Sequence, residues 1–252
     1  MSTSSRDSQA IHDSAMIVLA AGQGKRMCSS LPKPLVPVAG EAILHRLLRA
    51  IEEAGIGRVA VVVGHGAAEV RASLTPRYST PMQETRDGTA HAVSVAQSEL
   101  NEVASVFVFV GDSPLLRPES IQKLAQQHQE SGAACSFLTS QFEQHFPYAR
   151  VIRDSDGRVT ACIEERDCSK EQAQISEYLT SHFLFDGPLL WSFLDRVVPH
   201  PVTGERYLTD VIGLMIQEGH RVEAVAIADW RELVGLNTPE DVAWAEGVLA
   251  DE

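Results

Sequence analysis

Short apolar runs that stop at a glycine, separated by stretches of helical periodicity, constrain this chain more than any other feature. Met16-Ile-Val-Leu-Ala-Ala21 ends at Gly22, Val59-Ala-Val-Val-Val63 at Gly64, and Val106-Phe-Val-Phe-Val110 at Gly111. Runs of this length without polar alternation read as strands buried on both faces. Between them, Ala42–Ala54 places Ile43, Leu44, Leu47, Leu48 and Ile51 on one helical face, with Gly55 just past its end. Ala67–Leu74 reads as a short helix, Gly88–Leu100 and Pro118–Ser131 as longer ones, and Ala134–Thr139 as a further strand. Alternation of this kind implies right-handed crossovers, and so a doubly wound, mostly parallel α/β sheet covered on both faces. In such sheets ligands sit beyond the carboxyl ends of the strands, where the strand order reverses. The turn at Gly22–Gly24 and the pair Gly111-Asp112 both lie at that edge.

From Tyr148 the pattern changes. Ala149–Arg153 and Arg158–Glu165 alternate like strands around the turn signal Asp154-Ser-Asp-Gly157, and Tyr178–Phe185 is a third. These predict a small β-rich lobe, after which Leu189–Val197 and Leu208–Glu218 return to helix. Val222–Ile227 is a late strand, and Pro239–Leu249 a closing helix with Thr238 as its N-cap. The expected organisation is a polar leader over 1–14 and one domain over 15–250. Its first part, 15–145, is expected to hold the ligand at the sheet edge; its second, 146–250, supplies the lobe and the C-terminal return. A net charge of −13 over 252 residues argues against a general nucleic-acid or anionic-membrane surface. Cys28, Cys135, Cys162 and Cys168 have no metal-ligand spacing, and no apolar run reaches membrane-spanning length. The expected location is the cytoplasm, and a homo-oligomer is compatible with the sequence.

Two constellations carry chemistry. In Leu19-Ala-Ala-Gly-Gln-Gly-Lys-Arg-Met27, Gly22 and Gly24 let the backbone turn tightly so that its N–H groups can face phosphate oxygens. Arg26, and Lys33 between Pro32 and Pro34, add positive charge where a pyrophosphate would depart. The segment is neither a Walker A loop nor a G-x-G-x-x-G fingerprint, since Met27 stands where the third glycine belongs. The second constellation is Asp112, directly behind an apolar strand at the ligand edge, where a carboxylate suits a hard cation better than it suits a helix cap. Taken alone, Gln83 reads as a solvated loop residue and Asn237 as a turn residue before Pro239.

The opening segment, Leu31-Pro-Lys33, Gln83 with Asp87-Gly-Thr-Ala-His-Ala-Val93, Gly111-Asp112-Ser-Pro-Leu115, Tyr207-Leu-Thr-Asp210 and Gly235-Leu-Asn237 together resemble the N-terminal uridyltransferase domain of the bifunctional GlmU family. The resemblance runs over about residues 15–250 and implies a Rossmann-like nucleotidyltransferase fold. The chain ends before that family's acetyltransferase β-helix, so acetyl transfer is not expected. The implied reaction joins UTP to a sugar 1-phosphate and releases pyrophosphate. The implied nucleotide contacts are Leu19, Ala20, Ala21, Gly22, Gly24, Gln83 on the uracil, Gly88, Thr89 and Asp112. Arg26 and Lys33 are the implied catalytic cations, and Asp112 with Asn237 the implied Mg²⁺ ligands.

The expected sugar contacts, Ala149, Glu164 and Leu179, include departures. Tyr148-Ala149-Arg150 stands where the family has Tyr-Gly-Arg, and Glu177-Tyr-Leu-Thr-Ser181 where it has Glu-Ile-Asn-Thr-Gly. Leu179 cannot replace an asparagine's hydrogen bonds, and Ala149 adds a methyl, so the expected acceptor is a hexose or hexosamine 1-phosphate that N-acetylglucosamine 1-phosphate need not be. Cytidylyl or guanylyl transfer to another phosphorylated small molecule, and an inactive nucleotide-sugar-binding protein, are the alternatives.

Overall fold

The structure, a computed structural model, describes Ile11 and residues 13–251. Most of the expected leader therefore lies outside the described residues. The chain already packs at Ile11, which is buried in the core, and Ser14 Oγ donates to its carbonyl at 2.6 Å.

In chain order the regular elements are β1 (Ala15–Ala20), β2 (Pro37–Val38), β3 (Glu41–Ala42), α1 (Ile43–Glu53), β4 (Arg58–Val63), α2 (Ala67–Ser73), α3 (Thr89–Ser94), α4 (Gln97–Leu100), β5 (Ser105–Val110) and α5 (Pro118–Ser131). They continue with β6 (Cys135–Gln141), β7 (Ala149–Arg153), β8 (Val159–Ile163), β9 (Glu177–Asp186), α6 (Gly187–Leu194), α7 (Leu208–Gln217), β10 (Val222–Ala226) and α8 (Pro239–Ala250). The main sheet runs β10-β6-β9-β5-β1-β4, with β7 pairing both β8 and β9. The β1–β4, β1–β5 and β6–β10 pairs are parallel. The expected α/β class is therefore present, as a mostly parallel mixed sheet.

Burial on both faces follows from the apolar runs. Met16, Val18 and Ala20 of β1 face one buried cluster with Ile43, Leu47 and Ile51 of α1 and Leu124 of α5. Ala15 and Ile17 face the other, with Val93 of α3, Leu190 of α6 and Val211 of α7. Strand period two thus sends alternate residues to opposite layers, and both are apolar because helices cover both. No helix among the described residues is long and apolar enough to cross a membrane.

Three expectations change. The strand placed in a separate lobe, β9, threads the middle of the main sheet, antiparallel to both β5 and β6. The predicted strand at 158–165 stops at Ile163, and a 3₁₀ turn over Glu165–Asp167 follows. The predicted helix at 88–100 is two helices, because Ala96 and Glu99 donate to carbonyls three residues back rather than four. Thr238 caps α8 as expected: its hydroxyl accepts from Asp241 N–H at 3.2 Å, and the Asp241 carboxylate accepts from Thr238 N–H at 2.9 Å.

Candidate active site

The chain leaves β1 toward β4 on one side of the sheet and returns through β5 on the other, so a crevice opens at the carboxyl end of β1. A cleft of about 300 Å³ occupies it. Leu19, Ala20, Ala21 and Gly22 form one wall, Gln83, Gly88 and Thr89 another, and Lys33 and Asp112 the inner end. Eight of the nine expected nucleotide contacts, Asp112 among them, are thus brought together with Lys33 around one cavity. Gly24 lies beside the lining, against the Lys33 side chain.

Gly88 has φ 96°, and a Cβ there would lie 2.2 Å from the Arg206 carbonyl, so no larger residue fits this crossing of two loops. Arg206 N–H in turn donates to the Asp87 carbonyl at 2.8 Å, and Leu208 N–H donates to the Thr89 hydroxyl at 2.9 Å. The Tyr207-Leu-Thr-Asp210 segment is thereby fastened to the nucleotide wall. Gln83, almost fully buried, donates its amide N–H groups to the Gly88 carbonyl at 3.1 Å and to His91 Nδ1 at 3.3 Å. Gln83 lines the cleft, and its Oε1 remains an acceptor.

The inner end has one dominant feature. Lys33 Nζ donates to Asp112 Oδ2 at 2.6 Å and to Asn237 Oδ1 at 2.8 Å. Asn237 Nδ2 donates to the Gly235 carbonyl at 2.9 Å, which leaves the side-chain oxygen for Lys33 Nζ. Gly235 lies hard against that carboxylate: a Cβ there would be 2.8 Å from Asp112 Oδ1. An acidic and an amide oxygen therefore converge on one positively charged point. Carboxylate and amide oxygens are also the donors that a hard divalent cation takes. Among the described residues no group of three His, Cys, Asp or Glu side chains could hold a metal, so further ligands would come from phosphate oxygens and water.

The remaining expected residues are placed less centrally. Arg26 is exposed on a 3₁₀ turn over Lys25–Met27. Glu164 is half-buried, its Oε1 accepting from the Thr209 hydroxyl at 2.9 Å; burial pushes its carboxyl upward against that bond. Ala149 and Leu179 face each other across β7 and β9, at 3% and 2% exposure, and lie outside the cleft lining. Ser181 has φ 66°, a conformation that favours glycine, beside a register shift between β9 and β6.

Residues not singled out as site groups in the sequence also line the cleft. Arg86 donates to Gln23 Oε1 at 2.6 Å, and Glu205 and Tyr207 close the far side. Tyr207 opens the Tyr207-Leu-Thr-Asp210 segment; nothing local marks Arg86 or Glu205.

The profile of the MobA-like NTP transferase domain matches residues 16–208. The chain belongs to that family. It is a nucleotidyltransferase domain, and the resemblance to GlmU stands. GlmU of Heliobacterium modesticaldum is 39% identical over 242 residues, covering 96% of this chain and 53% of that protein. GlmU of Streptomyces avermitilis is 39% identical over 248 residues, covering 96% and 52%. The transferase domain spans about half the length of these curated relatives. A UDP-glucose pyrophosphorylase solved in complex with UDP-glucose shares the fold, with a TM-score of 0.78 at 14% identity, over 94% of this chain and 98% of that one.

Proposed function

We propose that this transferase moves a uridylyl group from UTP to a sugar 1-phosphate, with Mg²⁺ held by Asp112 and Asn237. The observation that carries the reading is the convergence of Asp112 Oδ2 and Asn237 Oδ1 on Lys33 Nζ at the inner end of the cleft. When bound there, the cation would neutralise charge on the phosphates. With the two oxygens so engaged, the Lys33 ammonium would be free to pair with phosphate oxygens. An oxygen of the sugar phosphate attacks the α-phosphorus of UTP in line, the bond to the pyrophosphate bridging oxygen breaks, and pyrophosphate leaves. The nucleophile is already ionised at neutral pH, so the chain needs no strong general base. Its contribution is positioning and charge neutralisation by Lys33, Arg26 and the backbone N–H groups of the Gly22–Gly24 turn.

Uracil is favoured over cytosine by the way Gln83 is tethered. With its amide nitrogen held by Gly88 and His91, the free Oε1 can accept the imide N–H of uracil, a donor that cytosine lacks. The reading of an acceptor other than N-acetylglucosamine 1-phosphate rests on the sequence departures at Ala149 and Leu179. Pyrophosphate release, screened with UTP, CTP, GTP and dTTP against a panel of sugar 1-phosphates and phosphocholine, tests the whole reading. Turnover with UTP and a hexose or hexosamine 1-phosphate supports it. Turnover with CTP and phosphocholine alone, or none with any pair, overturns it.

A further inference from the structure

We infer that Tyr148 is a positioning residue for the cation site: its hydroxyl anchors the Gly235–Asn237 segment and so sets the direction of the Asn237 oxygen. The inference rests on the reading of Asp112 and Asn237 as cation ligands. Tyr148 lies just ahead of β7, on a different part of the chain from every group it serves. Its hydroxyl accepts from Gly235 N–H at 3.0 Å. The carbonyl of the same glycine accepts from Asn237 Nδ2, and this bond points Asn237 Oδ1 at the shared cation position. Gly235 therefore carries one bond outward to the tyrosine and one bond inward to the ligand.

The remaining attachments of the segment do not replace that anchor. Leu236 N–H donates to the Asp112 carbonyl at 2.9 Å, and Asn237 N–H to Asp241 Oδ2 at 2.7 Å. Both hold main chain on the far side of Gly235, whereas the glycine itself touches the Asp112 carboxylate. A small rotation of the Gly235 peptide would move its carbonyl, and with it the Asn237 amide. Tyr148 is in turn well fixed. Its ring stacks on Phe146 with centroids 5.5 Å apart and planes 1° from parallel. Its carbonyl accepts from the fully buried Arg150, whose guanidinium lies 4.4 Å over the Tyr178 ring.

Ring packing explains an aromatic residue at 148 but not the hydroxyl, since phenylalanine would stack equally well. Burial pushes the phenol well above its ordinary range, so it stays protonated and cannot act as an anionic ligand itself. Groups that orient a ligand from behind commonly change metal affinity by about tenfold to a hundredfold when removed.

The test measures Mn²⁺ binding by electron paramagnetic resonance in a Lys33→Met background, which removes the competing ammonium. Tyr148→Phe should weaken Mn²⁺ binding by about tenfold, and Asp112→Asn should abolish it. With Lys33 intact, Tyr148→Phe should raise the Mg²⁺ concentration for half-maximal pyrophosphate release by a similar factor, with little change in kcat at saturating Mg²⁺. Phe142→Leu, which disturbs the same aromatic cluster without touching the hydroxyl, should lower Tm and leave Mn²⁺ affinity alone. If Tyr148→Phe leaves Mn²⁺ affinity unchanged while Asp112→Asn abolishes it, or if Phe142→Leu weakens binding equally, the positioning role is wrong and the cation reading survives. If Asp112→Asn has no effect, the cation reading itself fails.

Discussion

Replacing Leu179 by asparagine, the residue of the GlmU family at this place, sets two physical effects against each other. Leu179 is 2% exposed and belongs to the cluster that contains Ala149, Val151 and Phe183. Removing its aliphatic surface forfeits about 1.5–3 kcal/mol of burial. An amide left without partners among those side chains costs about 1–3 kcal/mol more. Leu179→Asn should therefore destabilise the protein by about 2.5–6 kcal/mol, a large share of the roughly 5–15 kcal/mol that holds a domain of ordinary stability folded. Against this, a restored hydrogen bond to an acetamido group is worth about 1–3 kcal/mol, or roughly tenfold to a hundredfold in kcat/KM on N-acetylglucosamine 1-phosphate. Adding Ala149→Gly opens room for the sugar and costs about 0.5–1 kcal/mol more. Urea denaturation measures the first effect, and competition kinetics among N-acetylglucosamine, glucose, galactose and glucosamine 1-phosphates the second. The expected result is a less stable double variant with raised relative activity on the N-acetylated sugar. A loss under about 1 kcal/mol would show that Leu179 is not a core residue. An unmodified enzyme that strongly prefers N-acetylglucosamine 1-phosphate would refute the argument from the departures at Ala149 and Leu179.

Asp112→Ala should abolish pyrophosphate release while circular dichroism stays native, because the carboxylate lies at the open end of the sheet; a folded variant of near-normal activity removes the cation assignment. Gln83→Ala should raise the KM for UTP and narrow the preference for UTP over CTP, and unchanged discrimination would send base reading elsewhere. His128, buried and joined through Nδ1 to Ser136 Oγ at 2.8 Å, has its pKa pushed down to about 4 by desolvation. Its folded pKa lies below the unfolded value, so its contribution is present above about pH 6.5 and is lost as pH falls toward 4, amounting to about 2 kcal/mol by pH 5. Urea denaturation at pH 7.5 and pH 5 should show that extra loss in the unmodified protein and not in His128→Leu, and equal losses would refute it.

The alternation of apolar runs and helical periods was enough to predict β1, β4 and β5, the helices α1 and α5, and the edge at which Gly22 and Asp112 would meet. Those features rest on local forces: a residue's period places it on a face, and a glycine ends a strand wherever it falls. The Thr238 cap was legible for the same reason, since both of its bonds lie within three residues. Strand β9 was recognisable as a strand but not as the central antiparallel one, because neighbours in a sheet are chosen by pairing between distant segments. Asp112 was legible from its strand as a candidate cation ligand and Asn237 only through resemblance, while the lysine that joins them was not foreseen there: Lys33 lies 79 residues from Asp112 and 204 from Asn237. No spacing rule connects them. The Tyr148 hydroxyl and Gly235, 87 residues apart, belong to the same class. The sequence by itself determined which segments are buried, where the strands end and which residue types could serve a phosphate. Only the tertiary structure decided which of them converge, because a hydrogen bond across the crevice depends on chain crossings that carry no local signature.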